Sequence, residues 1–314
     1  VSAPSQREKK VLVTGASGLL GLNLGFQSAG RYRVTGVVNS NNLSNAPFEV
    51  VTADLSIPGT FQRILQRTRP DFVIHAAALA NIDICEKKPD ISHRLNAELP
   101  GEVAEACARH NLRLIHISTD SVFDGEQGNY AEDDAPNPQS VYARDKLAGE
   151  LAVAAVFPQA AIARVNFYGW SLFGKRSLAE FFYNNLSARQ RVNGFTDVNF
   201  CPLLANDLTD LLLEMLEKGL RGIYHVLSRE SLSKYQFGVQ VANRFGLDAS
   251  LINPLSVFDG GLVAKRSPNL TASVAKLEAA LGHPTPTQAS GIEKFYQLFQ
   301  QGYPQRMQAL AAHS

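Results

Sequence analysis

Tyr142 and Lys146 stand four residues apart in Ser140-Val141-Tyr142-Ala143-Arg144-Asp145-Lys146, just after the run Pro136-Asn137-Pro138. On a helix, positions i and i+4 share a face. The pair would point the same way, with the ammonium close to the phenol. A nearby cation favours phenolate and lowers a tyrosine from its unperturbed value of about 10. That would make Tyr142 a general acid or base near neutral pH. Taken alone, a Tyr and a Lys at this spacing describe many solvated helix faces, so their meaning depends on what the rest of the chain places beside them.

A second stretch with chemical content is Thr14-Gly15-Ala16-Ser17-Gly18-Leu19-Leu20-Gly21. It follows an apolar run, Val11 to Val13, that reads as a buried strand, and it opens a helix ending near Gly30; Arg33 to Val38 reads as the next strand. Strand, Gly-rich turn, helix, strand is the context a dinucleotide fingerprint requires. Gly15 would allow the tight turn, Gly18 the approach of backbone to a pyrophosphate, and Gly21 the packing of helix on strand. The helix N-terminus would offer N–H groups and a positive dipole end to phosphate. The end of the second strand should choose the cofactor, because an acid there binds the adenosine ribose of NAD. This chain has Asn39-Ser40-Asn41-Asn42 instead. No acid repels a 2′-phosphate and no Arg is adjacent to grip one; the balance favours NADP over NAD.

The elements that would position these groups alternate. Strands are expected at Phe48 to Thr52, Asp71 to His75 and Leu112 to Ile117. Helices are expected from about Pro58 to Thr68 and from Ile91 to His110, and another carries Tyr142. Repeated strand–helix units imply a parallel, doubly wound Rossmann-type α/β sheet. Ligands on such sheets lie beyond the carboxyl ends of the strands. Asp54, the run Ala76-Ala77-Ala78 and Ser118-Thr119-Asp120 all fall there. Asp54 would accept from the adenine amine or cap the following helix, and the small alanines would admit a cofactor or a close-packed helix. His75 reads as a satisfied core residue. Beyond Arg164 the alternation weakens, and Leu203 to Lys218 carries an apolar helical stripe that belongs to a core.

Composition narrows the classes. The chain has 314 residues, 45% hydrophobic and 19% charged, an ordinary globular balance, and its formal net charge of +1 argues against nucleic acid or an anionic membrane as partner. Three scattered cysteines, Cys85, Cys107 and Cys201, show no metal-ligand spacing and suit a reducing cytoplasm. No apolar run is long enough to span a membrane. The expected organisation is a loose polar leader over residues 1–9 and a NAD(P)-binding domain over 10–165. A smaller, mainly substrate-binding α/β lobe covers 166–314, with the chain crossing back over about 197–228. The tail from Met307 reads as weakly ordered.

Together, the TGxxGxxG loop, Ser118-Thr119-Asp120-Ser121-Val122-Phe123-Asp124-Gly125 and Tyr142-x-x-x-Lys146 resemble the extended short-chain dehydrogenase/reductase superfamily. Within it, the local strings are similar to the dTDP-4-dehydrorhamnose reductase family. They are His75 to Ala78 with Ile82 to Glu86, Tyr130 and Glu132 ahead of Pro136, Lys146 to Glu150, Gly222 to His225, and Arg266-Ser267-Pro268-Asn269. The likeness runs from about Val11 to Gly282. It implies an NAD(P)H-dependent reductase of a nucleotide-activated 4-keto-6-deoxy sugar in dTDP-rhamnose biosynthesis. Tyr142 would be the proton donor, Lys146 the ribose clamp, and Thr119 the hydroxyl that completes the triad. Gly15, Ser17, Gly18, Leu19 and Leu20 would fall on the phosphate loop, with Asn39 and Ser40 at the ribose. Asp54, Leu55, Ala76, Ala77 and Ala78 would lie along the adenosine side. Asn166, Phe167 and Arg266 would meet the sugar nucleotide. Lys175, Arg176, Arg189 and Arg191 are further cations that could reach its diphosphate. Ser121, Phe167 and the Arg-Ser-Pro string depart from the family pattern on the substrate side. The resemblance leaves open an epimerase or dehydratase of the same superfamily, or a non-catalytic NADP-binding regulatory subunit like that of methionine adenosyltransferase. A homodimer is compatible with it; no metal is expected.

Overall fold

Val11 and Val13 face one way and Leu12 the other, and all three are buried. A strand with both faces covered needs such a continuous apolar run. The computed structural model describes residues 7–259 and 267–311, and its centre is a sheet built from strands of this kind. β1 (Lys10–Thr14), β2 (Arg33–Val38), β3 (Glu49–Thr52), β4 (Phe72–His75), β5 (Arg113–Thr119) and β6 (Ala161–Val165) pair in parallel. The helices between them are α1 (Leu19–Ser28), α2 (Thr60–Thr68), α3 (Ile82–Lys87), α4 (Pro89–His93), α5 (Leu99–Arg109) and α6 (Val141–Val156).

The second half adds α7 (Leu178–Ser187), α8 (Ala205–Lys218), α9 (Lys234–Phe245), α10 (Ala275–Leu281), α11 (Gln288–Gln300) and α12 (Tyr303–Gln308). Three small pairings join them: β7 (Phe167–Tyr168) with β10 (Leu203–Leu204), β9 (Asn199–Phe200) with β12 (Leu232–Ser233), and β8 (Val192–Phe195) with β13 (Ile252–Leu255). β11 (Gly222–Val226) returns to pair with β6, giving a seven-stranded order β11-β6-β5-β4-β1-β2-β3. The sheet is the doubly wound Rossmann type. Its order reverses beside β1, the place where such folds open a crevice.

One face of the sheet packs on α1 and α8 through Val11, Val13, Leu24, Ile115, Leu208 and Leu212. The other packs on α2, α5 and α6 through Leu12, Phe61, Leu65, Val103 and Val153. A second, aromatic core gathers Tyr168, Trp170, Phe182, Phe237 and Phe295. Leu22 of α1 belongs to that core, while Leu20 and Leu24 belong to the first. Asn23, on the same helix, donates to the Trp170 carbonyl (2.9 Å) and accepts from the Tyr303 hydroxyl (3.1 Å).

Three local expectations change. The helix expected from Ile91 to His110 is interrupted by a π turn over Arg94–Glu98. Asn96 sits in that turn, and its amide bonds both the N–H and the carbonyl of Leu79, at 3.0 Å each. The tail is ordered at its start: Met307 and Leu310 are buried in the aromatic core. Of the expected leader, residues 1–6 lie outside the described residues; Arg7 pairs with Asp71, and the Lys9 carbonyl accepts from the Arg33 N–H.

Candidate active site

The phosphate loop is shaped by steric need. Gly15 has φ +71°, and a Cβ there would lie 2.9 Å from the Ala76 oxygen and the Ala77 nitrogen. A Cβ on Gly21 would come within 2.4 Å of the Gly15 oxygen. Only glycine lets the loop, the end of β4 and the first turn of α1 meet this closely. Gly18 is the N-cap of α1; no side chain caps the helix and no acid stands in its first turn. Its leading N–H groups are therefore presented to an anion. Thr14 Oγ1 accepts from the N–H groups of Ala76 and Ala77 (3.1 Å each) and lies 2.7 Å from His75 Nδ1. Those two alanine N–H groups thus already have a partner within the protein.

A cavity opens over the ends of β1 to β4. It is lined by Gly15, Ser17, Gly18, Asn39, Ser40, Asn41, Asp54, Leu55 and Ala76 to Ala78. Leu20 turns into the core instead, and Leu19 opens α1 without lining the cavity. Asp54 accepts from the Ser56 N–H at 2.9 Å, and hydrogen bonding with Ser56 holds its carboxyl below the usual range. It does not cap α2, whose N-cap is Gly59. Arg176 lines the same cavity, although its sequence position suggested a role at a substrate diphosphate.

The second group stands at the ends of β5 and β6. Ser140 caps α6, its hydroxyl accepting from the Ala143 N–H at 3.2 Å. Tyr142, Lys146 and Glu150 follow at one-turn intervals along one face. Gly149 allows this helix to press on the π turn, since a Cβ there would lie 2.3 Å from the Asn96 oxygen. Lys146 is 2% exposed. Its ammonium donates to the Ile117 carbonyl at 2.6 Å and lies 3.4 Å from His116 Nε2. Burial pushes it down to about 8, with the Glu150 carboxylate pulling the other way. Glu150 is itself held by Ser118 and by Arg164, in a fully buried ion pair with an N–O distance of 2.8 Å.

The phenol behaves differently from what the spacing suggested. Burial raises Tyr142 above its ordinary value, opposed by hydrogen bonding with Thr119 and reinforced by Asp120 and Cys85. The reason is geometric: Lys146 turns into the end of β5, and burial outweighs charge at the phenol. Tyr142 is a neutral acid here. His75 and His116 stack with ring centroids 5.4 Å apart beneath this lysine. Burial first, then the Lys146 charge, pushes both down, His75 to about 3, so both imidazoles are neutral.

Asp120, 1% exposed, stands at the strand end that the sequence indicated, though the residue pattern gave it no role in the reductase site. It accepts from Asn166 Nδ2 (2.7 Å), Thr119 Oγ1 (3.2 Å) and Ser121 Oγ (3.3 Å). Burial raises it to about 6 despite these bonds. Beside it lies a second cavity lined by Ser121, Gln139, Ser140, Asn166, Asn199 and Lys234. Asn166, expected at the sugar nucleotide, is among the residues that line this cavity. Phe167 pairs in β7 and packs against the main core, outside the lining of this cavity. Trp170 is structural, stacked on Phe295 at 4.1 Å and donating to its carbonyl. Arg266 lies outside the described residues; Ser267, next to it, lines the cavity. Among the described residues, no group of three or more His, Cys, Asp or Glu side chains could hold a metal. No helix among them is long and apolar enough to cross a membrane.

Comparison with known proteins agrees with the fold. Residues 9–301 match the family model described as the RmlD substrate binding domain. A dTDP-4-dehydrorhamnose reductase of Mycobacterium tuberculosis is 34% identical over 80% of this chain and 80% of its own. A probable low-salt glycan biosynthesis reductase of Haloferax volcanii is 33% identical over 88% of this chain and 93% of that protein. Methionine adenosyltransferase 2 subunit beta of Rattus norvegicus is 29% identical over 91% and 86%. Among solved structures, a dTDP-4-dehydrorhamnose reductase from Bacillus anthracis in complex with NADP superposes with a TM-score of 0.80 at 25% identity, over 92% of this chain and 99% of that one.

Proposed function

The chain belongs to the RmlD substrate-binding domain family, and from that premise we propose that it reduces the C4 ketone of a nucleotide-activated 4-keto-6-deoxy sugar with NAD(P)H. The observation that carries the proposal is the position of Thr119, Tyr142 and Lys146 at the end of β5. Thr119 ends β5, and its neighbour Ser121, with Asn166 and with Ser140, the cap of the helix that carries Tyr142 and Lys146, lines the second cavity. The uncapped helix α1 and the cradle that a Cβ at Gly15 or Gly21 would fill suit a dinucleotide pyrophosphate. Asn39 and Ser40 would face its adenosine ribose, and Asp54 and Leu55 its adenine side. The bound dinucleotide would supply the hydride.

The protein's own part is to position the ketone and provide the proton. Tyr142, kept neutral by burial, donates to the C4 oxygen as charge develops on it. Thr119 donates its single hydroxyl proton to Asp120 in the free protein; with the ketone bound, that proton would turn to the same oxygen, where the negative charge appears. Lys146 has three N–H donors, two of them directed at Ile117 and His116; the third would hold the nicotinamide ribose. Asp120 positions Thr119 and Asn166 from behind.

The test is a turnover screen of 4-keto-6-deoxy nucleotide sugars with NADH and NADPH in parallel, on the native chain and on Tyr142→Phe. The native chain should turn over at least one sugar, and the variant should bind cofactor normally and lose turnover. Full activity in the variant would remove Tyr142 from its role. The likeness to methionine adenosyltransferase 2 subunit beta supports a second reading, a cofactor-binding regulatory subunit. Absence of turnover on every sugar, with tight binding to a methionine adenosyltransferase catalytic chain, would favour it.

A further inference from the structure

Arg176 reaches the cofactor cavity from a part of the chain that has no place in the nucleotide fingerprint. It lines the space above Asn39, Ser40 and Asn41 at the end of β2, together with Asp54 at the end of β3. The turn that carries it is built around a single carboxylate. Glu180 is fully buried and accepts from the N–H groups of Ser171 (2.6 Å), Arg176 (2.9 Å) and Ser177 (3.1 Å), and from the Ser171 hydroxyl. Ser177 ties the same turn to the Gly169 carbonyl at 2.8 Å and closes a capping box with Glu180 at the start of α7. The backbone of Arg176 is thereby fixed, while its side chain is exposed. No described carboxylate pairs with the guanidinium.

Around it are neutral donors: the amides of Asn39 and Asn41 and the Ser40 hydroxyl. An unpaired guanidinium beside two amides and a hydroxyl matches a phosphate monoester, which carries close to two negative charges at neutral pH. Such a group accepts the paired N–H donors of arginine in a way that a ribose hydroxyl cannot. We infer that Arg176 is the specificity-determining residue of the cofactor site: it binds the 2′-phosphate of the adenosine ribose and makes the enzyme prefer NADPH over NADH. The inference rests on the dinucleotide reading of that cavity.

The test is a set of binding titrations of the full chain with NADPH, NADH, 2′,5′-ADP and 5′-AMP, repeated on Arg176→Gln and Arg176→Lys. The native chain should bind NADPH and 2′,5′-ADP more tightly than NADH and 5′-AMP. Arg176→Gln should weaken the two 2′-phosphate ligands by at least about tenfold, the size of a lost charge-assisted bond. Its NADH binding should be unchanged, which also reports that the variant is folded. Arg176→Lys should retain part of the preference, as a point charge without the fork. An unchanged preference in Arg176→Gln, equal loss for both cofactors, or no preference in the native chain would overturn the role of Arg176. A native chain that binds neither dinucleotide would instead remove the reading on which the role rests.

Discussion

Lys146→Met should make the protein inactive and, at neutral pH, more stable. The lysine is 2% exposed, and burial takes its ammonium from about 10.5 to about 8. At ~1.4 kcal/mol for each factor of ten in protonation, holding that charge inside the fold costs roughly 3 kcal/mol. The sign follows from proton counting. Between about pH 8 and about pH 10 the unfolded chain keeps the lysine proton and the folded chain has released it. Unfolding free energy therefore rises with pH in that window. The destabilisation is fully present below about pH 8 and fades as pH approaches about 10.5. Methionine has a similar volume and carries no charge to bury. It forfeits the 2.6 Å bond to the Ile117 carbonyl, worth about 1 kcal/mol. The variant should thus exceed the native protein by about 2 kcal/mol near pH 7 and fall slightly below it near pH 10.5. Urea unfolding of both proteins at about pH 7, 8.5 and 10 would measure the difference. A gap that does not change with pH would refute the reasoning, because it would mean that the buried ammonium does not titrate in this range.

Glu150→Ala leaves Arg164 buried without its partner, 2.8 Å away in the native pair, and should lower unfolding free energy by about 3–5 kcal/mol; replacing both residues by apolar ones of similar volume should recover most of the loss in the same urea assay. Asp120→Asn should reduce kcat about tenfold or more through Thr119 and Asn166, with cofactor affinity unchanged. Because Asp120 is raised to about 6, native activity should fall as pH drops through about 6, and that limb of the pH–rate profile should be absent in the variant. Gly15→Ala puts a Cβ 2.9 Å from the Ala76 oxygen in a left-handed backbone; it should lower stability by about 1–3 kcal/mol and weaken NADH and NADPH equally in a binding titration.

The phosphate loop was legible in the sequence because its glycines answer to local geometry, and the structure shows each cramped contact. The shared face of Tyr142 and Lys146 was legible for the same reason: helical spacing fixes direction. Where Lys146 sends its ammonium was not legible. A lysine side chain has several rotatable bonds, and the carbonyl it meets belongs to β5, many positions earlier. The expected acidic shift of Tyr142 failed on that account. Arg176 was out of reach for a similar reason. Nothing local to Phe173-Gly174-Lys175-Arg176 indicates β2; only tertiary packing brings them to one cavity. The π turn was hidden because one extra residue per turn barely alters an apolar pattern. The ordered tail could have been found, since Tyr303, Met307 and Leu310 repeat at helical spacing and all three are buried.

Helix α1 is a party wall. Leu20 and Leu24 face the core beneath the sheet, Leu22 faces the aromatic core, and Asn23 is bonded to Trp170 and Tyr303 across it. The segment that should hold the cofactor is therefore common to both halves of the molecule. A fragment ending near Val165 would expose Leu22 and leave the Asn23 amide only the Leu19 carbonyl of its own helix, so the first half of the chain is not a cassette that can be expressed or grafted alone. Exchange of substrate-side segments with those of a relative would have to carry matching changes on α1, and the whole chain should melt in a single cooperative step. New substrate specificity in this architecture has to evolve within a shared wall, by altering the loops around it rather than by trading one half of the chain for another.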